Sequence, residues 1–403
     1  MGHTPSVAVG FWVDAGSRDE PPALSGASHF LEHLLFKGTA ERSARDIAEA
    51  VEAVGGEMNA FTTKEYTAFY VRLLTADLDL ALDVLSDIMW APALRPEEVE
   101  AERQVILEEI HLHHDEPADV VHELVHAGAW PRHPLGHEVL GHARTIETMS
   151  ATDIRGYFES HYRPASIVVA AAGGVEHDAV VDGIARRYRG PEGSRPPRPA
   201  DEGAVRHGVE LQHRDTEQAH VVVGLEGLAR DDEDRYALTV LNQLLGGGMS
   251  SRLFQEIREE RGLAYSVYSY RAAYAETGLL ALYAGTSPAR AGTVLDLMAA
   301  ELDRLGSEGV GERELEVARG HVRGSLVLGL EDTASRMSRL GRSQLLHGRT
   351  LALDELLARF EAVTTEEVNR VARRVLAGSR VLAAVGPLDA DELAAHPVVA
   401  AVA

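Results

Sequence analysis

The chain contains no cysteine, so neither a disulfide nor a thiolate metal site is available. Any metal it holds must be bound by histidine and carboxylate. Aromatic residues are scarce, at 5% of 403. No stretch approaches the ~20 apolar residues of a membrane helix, and the most apolar run, 167–174, has the length of a strand. Basic residues are outnumbered, with 39 Lys+Arg against 63 Asp+Glu and a formal net charge of −24. That balance argues against nucleic acid and anionic membrane as partners and favours basic or unfolded peptides. The opening residues carry neither a basic segment nor a long apolar core, so a cytoplasmic protein without a signal peptide is the expectation.

The length is too great for one compact core. Prolines and glycines crowd 190–206 and exclude helix and central strand there, leaving halves at 1–189 and 207–403. The halves resemble each other. Val7-Ala-Val-Gly10 matches Val221-Val-Val-Gly224, and an acidic turn follows in each, Ser17-Arg-Asp-Glu20 and Arg230-Asp-Asp-Glu233. Helical patterns follow at 26–36 and 235–245. The expected fold is α+β, with two tandem homologous α/β units. Each would be a mostly antiparallel sheet with helices packed on one face.

The copies differ in one respect. The first helix reads Gly26-Ala-Ser-His29-Phe-Leu-Glu32-His33, whereas its counterpart Leu238-Thr-Val-Leu-Asn-Gln-Leu-Leu245 has no histidine. The fold therefore does not need His29 and His33 in order to form. Histidines four apart on a helix reach the same ion, and Glu32 projects to the same side. Zinc with three protein ligands activates a water, and a nearby carboxylate can serve as general base. With 19 histidines, about one such pair is expected by chance, and the intervening Glu lowers that to about a tenth. His122-Glu123-Leu-Val-His126 fits the opposite-order zincin motif, with Glu147 at a plausible distance for a third ligand. Spacing alone does not separate the two sites.

Four runs, in order along both halves, carry a resemblance: His29-Phe-Leu-Glu-His-Leu-Leu-Phe-Lys-Gly-Thr39, Gly56-Glu-Met-Asn-Ala-Phe-Thr62, Glu102-Arg-Gln-Val-Ile-Leu-Glu-Glu-Ile110 and Ser251-Arg-Leu-Phe-Gln-Glu-Ile-Arg-Glu-Glu-Arg-Gly-Leu-Ala-Tyr265. The chain resembles the pitrilysin-type (M16) zinc metallopeptidases, in particular the short bacterial forms and the mitochondrial processing peptidase β-subunit. The resemblance implies one Zn2+ per chain on His29, His33 and Glu109, with Glu32 as the catalytic base. Glu102 becomes the acid behind a ligand, and Asn59 and Ala60 the strand that pairs with substrate. Arg258 and Tyr265 are implied to grip substrate and support the tetrahedral intermediate. Asp119 and Glu123 match acids that recognise a substrate arginine, which makes the 122–126 pentapeptide part of a specificity helix.

The expected function is a zinc endopeptidase acting on unfolded peptides or targeting segments. The alternatives are a catalytically silent partner subunit and a zincin centred on His122 and His126. Because one chain carries both the metal and the Arg/Tyr sets, a homodimer is expected, with a heterodimer with a related chain as the alternative. The resemblance implies another strand before Val7, where only six residues stand, so the expectation is either that the numbering begins at an internal Met or that the first sheet lacks an edge strand.

Overall fold

The computed structural model describes residues 4–190, 192–198 and 203–399; residues 191 and 199–202 of the expected linker lie outside the described residues. Among the described residues there are nine strands: β1 Ser6–Val13, β2 Glu57–Thr62, β3 Thr67–Leu74, β4 Ile167–Gly173, β5 Gly208–His213, β6 Ala219–Glu226, β7 Ala264–Ala273, β8 Gly278–Thr286 and β9 Arg380–Gly386. They form two sheets, ordered β2-β3-β1-β4 and β5-β9-β6-β8-β7. All pairs are antiparallel except β5 with β9. The duplicated α+β architecture is therefore as expected. β4-β1-β3-β2 repeats β9-β6-β8-β7, and among the described residues nothing beside β4 corresponds to β5.

The described residues divide into two compact units. The first draws on Met1–His111, His137–Pro199 and Val327–Thr350, the second on Leu112–Gly136, Ala200–Leu326 and Leu351–Ala403. These are not the contiguous halves 1–189 and 207–403 expected from the linker, because each unit includes a segment from the other half of the chain. The reason lies in the strands. In β1, Val7, Val9, Phe11 and Val13 join one core while Ala8 and Trp12 join another on the opposite face. A central strand that is apolar on both faces needs cover on both. The second face of β1 and β4 is covered by the helix Thr333–His347 through Met337. In the second unit, the helix Pro117–Ala129 places Val120, Val121 and Val125 over Val222 of β6 and over β9. Each sheet thus carries helix on its second face, in addition to the one face expected.

The repeated glycine at the fourth position of each Val-rich run now has a physical role. A Cβ on Gly10 would stand 2.6 Å from Met337 Sδ, and one on Gly224 2.9 Å from Val125 Cγ2. Both glycines let the covering helix lie against bare strand. No helix among the described residues is long and apolar enough to cross a membrane.

On the helix side of this contact, Gly341 faces the buried Trp12 indole so closely that any Cβ would overlap it. Gly341→Ala should cost about 1–3 kcal/mol by overpacking, read as a lower urea midpoint. Gly320, also helical, has no atom within 4 Å of its Cβ position. Gly320→Ala should be neutral or stabilising by up to about 1 kcal/mol.

Candidate metal centre

The helix Ala27–Leu35 buries Phe30, Leu31, Leu34 and Leu35 in the first unit's core. That placement turns His29, Glu32 and His33 to the remaining side. A second helix, Pro96–Asp115, buries Val99, Ile106 and Ile110. Glu102 and Glu109 are seven residues apart on it, two turns along nearly one face. Arg103 anchors this helix, donating to the carbonyls of Ile146 and Met149.

The two helices bring three donor groups together. His29 Nε2 lies 3.6 Å and His33 Nε2 3.5 Å from Glu109 Oε2. Among the described residues, His29, His33 and Glu109 are the only group of three whose ligand atoms all fall within 4.8 Å of one another. Separations of 3.5–3.6 Å exceed an ordinary hydrogen bond. They match the roughly 3.4 Å edge of a tetrahedron whose corners lie ~2.1 Å from a central zinc. The donor set and spacing therefore fit a zinc ion.

Surrounding groups hold these ligands in place. Glu102 Oε2 lies 3.1 Å from His33 Nδ1, and its other oxygen pairs with Lys37 Nζ at 2.6 Å. Glu102 is buried, so its charge is matched locally by Lys37. Such a carboxylate fixes the ring orientation and tautomer of a metal-binding histidine. Thr62 Oγ1 donates to Glu32 Oε2 at 2.6 Å. Burial raises the Glu32 pKa, opposed by the Thr62 hydroxyl and by His33. His29 is pushed down to about 3 by burial and by His33, so its ring stays neutral and able to bind metal. Its Nδ1 is buried with no hydrogen-bond partner among the described residues.

Thr62 and Lys37 went unassigned in the sequence reading, although both lie within the runs that carry the resemblance. A threonine ending a strand and a lysine ending a helix gave no chemical signal until their partners were placed. Asn59 and Ala60 lie in β2, which among the described residues pairs only with β3 and forms one edge of its sheet. Ala60 N donates to the Asn59 side-chain oxygen at 2.8 Å.

The remaining candidates belong to the second unit. The Arg258 guanidinium lies 5.0 Å from the Tyr265 ring centroid and 4.7 Å from that of Phe254. Tyr265 is 83% exposed and so is not part of the core. His122 has both ring nitrogens engaged, Nδ1 with Tyr270 hydroxyl at 2.8 Å and Nε2 with Tyr268 hydroxyl at 3.0 Å. His126 Nδ1 is bonded to the carbonyl of His122 at 2.8 Å. Glu147, the third ligand of the zincin pattern, belongs to the first unit. Among the described residues, His122, Glu123 and His126 belong to no group of three possible metal ligands. Asp119 and Glu123 flank His122 and favour its charged form, but burial outweighs them and lowers its pKa.

Two predictions follow from the first-unit geometry. The unfolded His29 takes up protons below about 6.5, whereas the buried ring resists them down to about 3. The unfolded state therefore binds more protons across that window, and the ring's contribution to stability is complete above it. Urea unfolding of metal-free protein should show stability falling as pH drops from 6.5, with a shallower slope in His29→Asn. Separately, Lys37→Met should weaken zinc binding by about tenfold or more, measured by chelator competition, because Glu102 loses the ammonium partner that holds it beside His33.

Known proteins resemble this chain along nearly its whole length. Residues 2–143 match the family described as Insulinase (Peptidase family M16), and residues 148–320 match the Peptidase M16 inactive domain. A Streptomyces coelicolor protein named as an uncharacterized zinc protease is 47% identical over 405 residues, covering 98% of this chain and 88% of that protein. One of the same description from Mycobacterium tuberculosis is 45% identical, covering 95% and 88%. A crystal structure of a protease from Helicobacter pylori superposes with a TM-score of 0.88 at 23% identity, covering 95% of this chain and 94% of that one. The chain belongs to peptidase family M16.

Proposed function

We propose that this protein is a zinc-dependent endopeptidase that cuts unfolded peptides held as an extended strand. The observation that carries the reading is the convergence of His29, His33 and Glu109 with Glu32 beside them. A zinc ion on those three side chains would lower the pKa of water and polarise the scissile carbonyl. Glu32, whose carboxyl burial raises, takes the proton from the attacking water and returns it to the leaving amine. Thr62 holds one Glu32 oxygen, directing the other toward that proton. Glu102 keeps His33 in the tautomer that presents Nε2.

The open edge of β2 at Asn59 and Ala60 suits backbone pairing with an extended substrate. Arg258 and the exposed Tyr265 supply a donor pair of the type that steadies a developing oxyanion. The acids Asp119 and Glu123 give the reading an arginine preference. Possession of both sets by one chain favours an autonomous homodimer over a silent partner subunit.

Zinc content and peptide cleavage measured side by side for His33→Ala and His126→Ala test the assignment. Loss of both properties in His33→Ala alone is expected, and loss in His126→Ala alone would overturn the reading. Absence of metal from the parent protein would favour the silent subunit. Glu32→Gln should keep its zinc while kcat falls by about 10²–10⁴. Peptides with arginine near the cleavage site should be cut faster than arginine-free ones, and Asp119→Asn with Glu123→Gln should remove that difference. Equal rates in the parent sink the arginine preference but leave the zinc assignment standing.

A further inference from the structure

His29 occupies the third position of the helix Ala27–Leu35, within the first turn. First-turn amides lack intrahelical acceptors, and helices fray from such ends. A side chain at the N-cap usually supplies the missing acceptor. Here the N-cap is Gly26, which has none. No capping residue can replace it readily, because Gly26 has φ +95° and a Cβ there would come within 2.7 Å of both the Leu140 carbonyl and Ile146 Cδ1.

The acceptor comes instead from outside the helix. Glu20 Oε2 accepts from Gly26 N–H at 2.7 Å, and Glu20 Oε1 accepts from Ser28 N–H at 2.7 Å. Both carboxylate oxygens are thereby committed to one helix end, and the Glu20 side chain is buried. Ser28 is held a second time, its hydroxyl 2.9 Å from that of Tyr157.

Glu20 is itself carried on a fixed loop. Ser17 N and Arg18 N donate to the carbonyls of Thr63 and Lys64, at 3.2 and 2.9 Å. Asp19 receives two Arg198 donors at 2.8 Å each and accepts Gly16 N at 3.0 Å. The Thr63 backbone that steadies this loop directly follows Thr62, whose hydroxyl holds Glu32. One frame therefore touches the metal helix twice, at its start through Glu20 and at its base through Thr62.

We infer that Glu20 is a positioning residue for the metal centre, clamping the first helical turn so that His29 Nε2 is held at ligand spacing from His33 and Glu109. The inference rests on the zinc-peptidase reading of that site. Glu20 touches neither substrate nor reacting atoms and acts only through the backbone that carries His29. In Glu20→Gln one oxygen acceptor survives, while the new amide group meets an N–H that it cannot accept. The first turn loosens, and His29 loses its fixed approach to the ion.

The test compares the parent and Glu20→Gln as full-length chains, at a temperature where circular dichroism shows both folded. The readouts are zinc dissociation constants from chelator competition and the visible absorption of the cobalt-substituted proteins. About tenfold weaker zinc binding, with altered cobalt band positions or intensities, is the expected result. Zinc affinity within twofold of the parent and an unchanged cobalt spectrum would overturn the inference, even if the urea midpoint falls, since a merely structural role moves only the midpoint. If Glu20→Gln does not fold, Glu20→Asp, too short to reach both amides, is judged by the same criteria. A parent that binds no zinc overturns the underlying peptidase reading and this inference with it. A parent that binds zinc beside an unaffected variant overturns the inference alone.

Discussion

The centre depends on one spacing, that between Glu109 Oε2 and the two histidine Nε2 atoms, 3.6 Å for His29 and 3.5 Å for His33. Three side chains without an ion between them have little reason to keep that separation. A carboxylate and an imidazolium would close to a hydrogen bond, and neutral rings would drift apart. The spacing persists because it is set by the packing of two helices. Phe30 and Leu34 on one and Ile106 and Ile110 on the other are anchored in the same core. The polar groups around the ligands then remove the rotational freedom that helix packing leaves. Glu102 acts on the His33 ring and Thr62 on Glu32.

Electrostatics and burial are balanced differently for each member of the site. His29 is almost fully covered, and its neutral form is strongly favoured. Glu32 is raised by the same burial, opposed by the Thr62 hydroxyl that donates to it. Glu109 remains partly exposed. One half-buried corner thus gathers a neutral imidazole, a carboxyl whose pKa burial raises and a partly exposed carboxylate.

The duplicated architecture supplies the stiffness this requires. Gly10 and Gly224 occupy the same place in two copies of one strand, and each admits a covering helix against bare backbone. Sheets buried on both faces resist the small shifts that would spoil ligand spacing. The second unit keeps this scaffold without the metal ligands, and its helix Pro117–Ala129 turns His122 into a hydrogen-bonding partner of Tyr268 and Tyr270.

Much of this was legible in the residues alone. The two-copy α+β pattern follows from matched Val-rich runs and amphipathic helices, which local periodicity encodes. His29, Glu32 and His33 share a helix face by spacing, which needs no tertiary information. Glu109 required the resemblance, because a ligand 76 residues beyond His33 is brought near by packing and not by period. Spacing did not separate the two histidine pentapeptides; the resemblance favoured the first, and in the structure tyrosine hydroxyls from distant strands engage both His122 nitrogens. Tertiary structure likewise decided the partners of Thr62, Lys37 and Glu20 and the exchange of covering helices between the halves. A helix's partner, like the acceptor of a backbone amide six residues away, is set by how apolar faces on both sides of a strand are covered. Local sequence records that a face is apolar but not which segment will cover it.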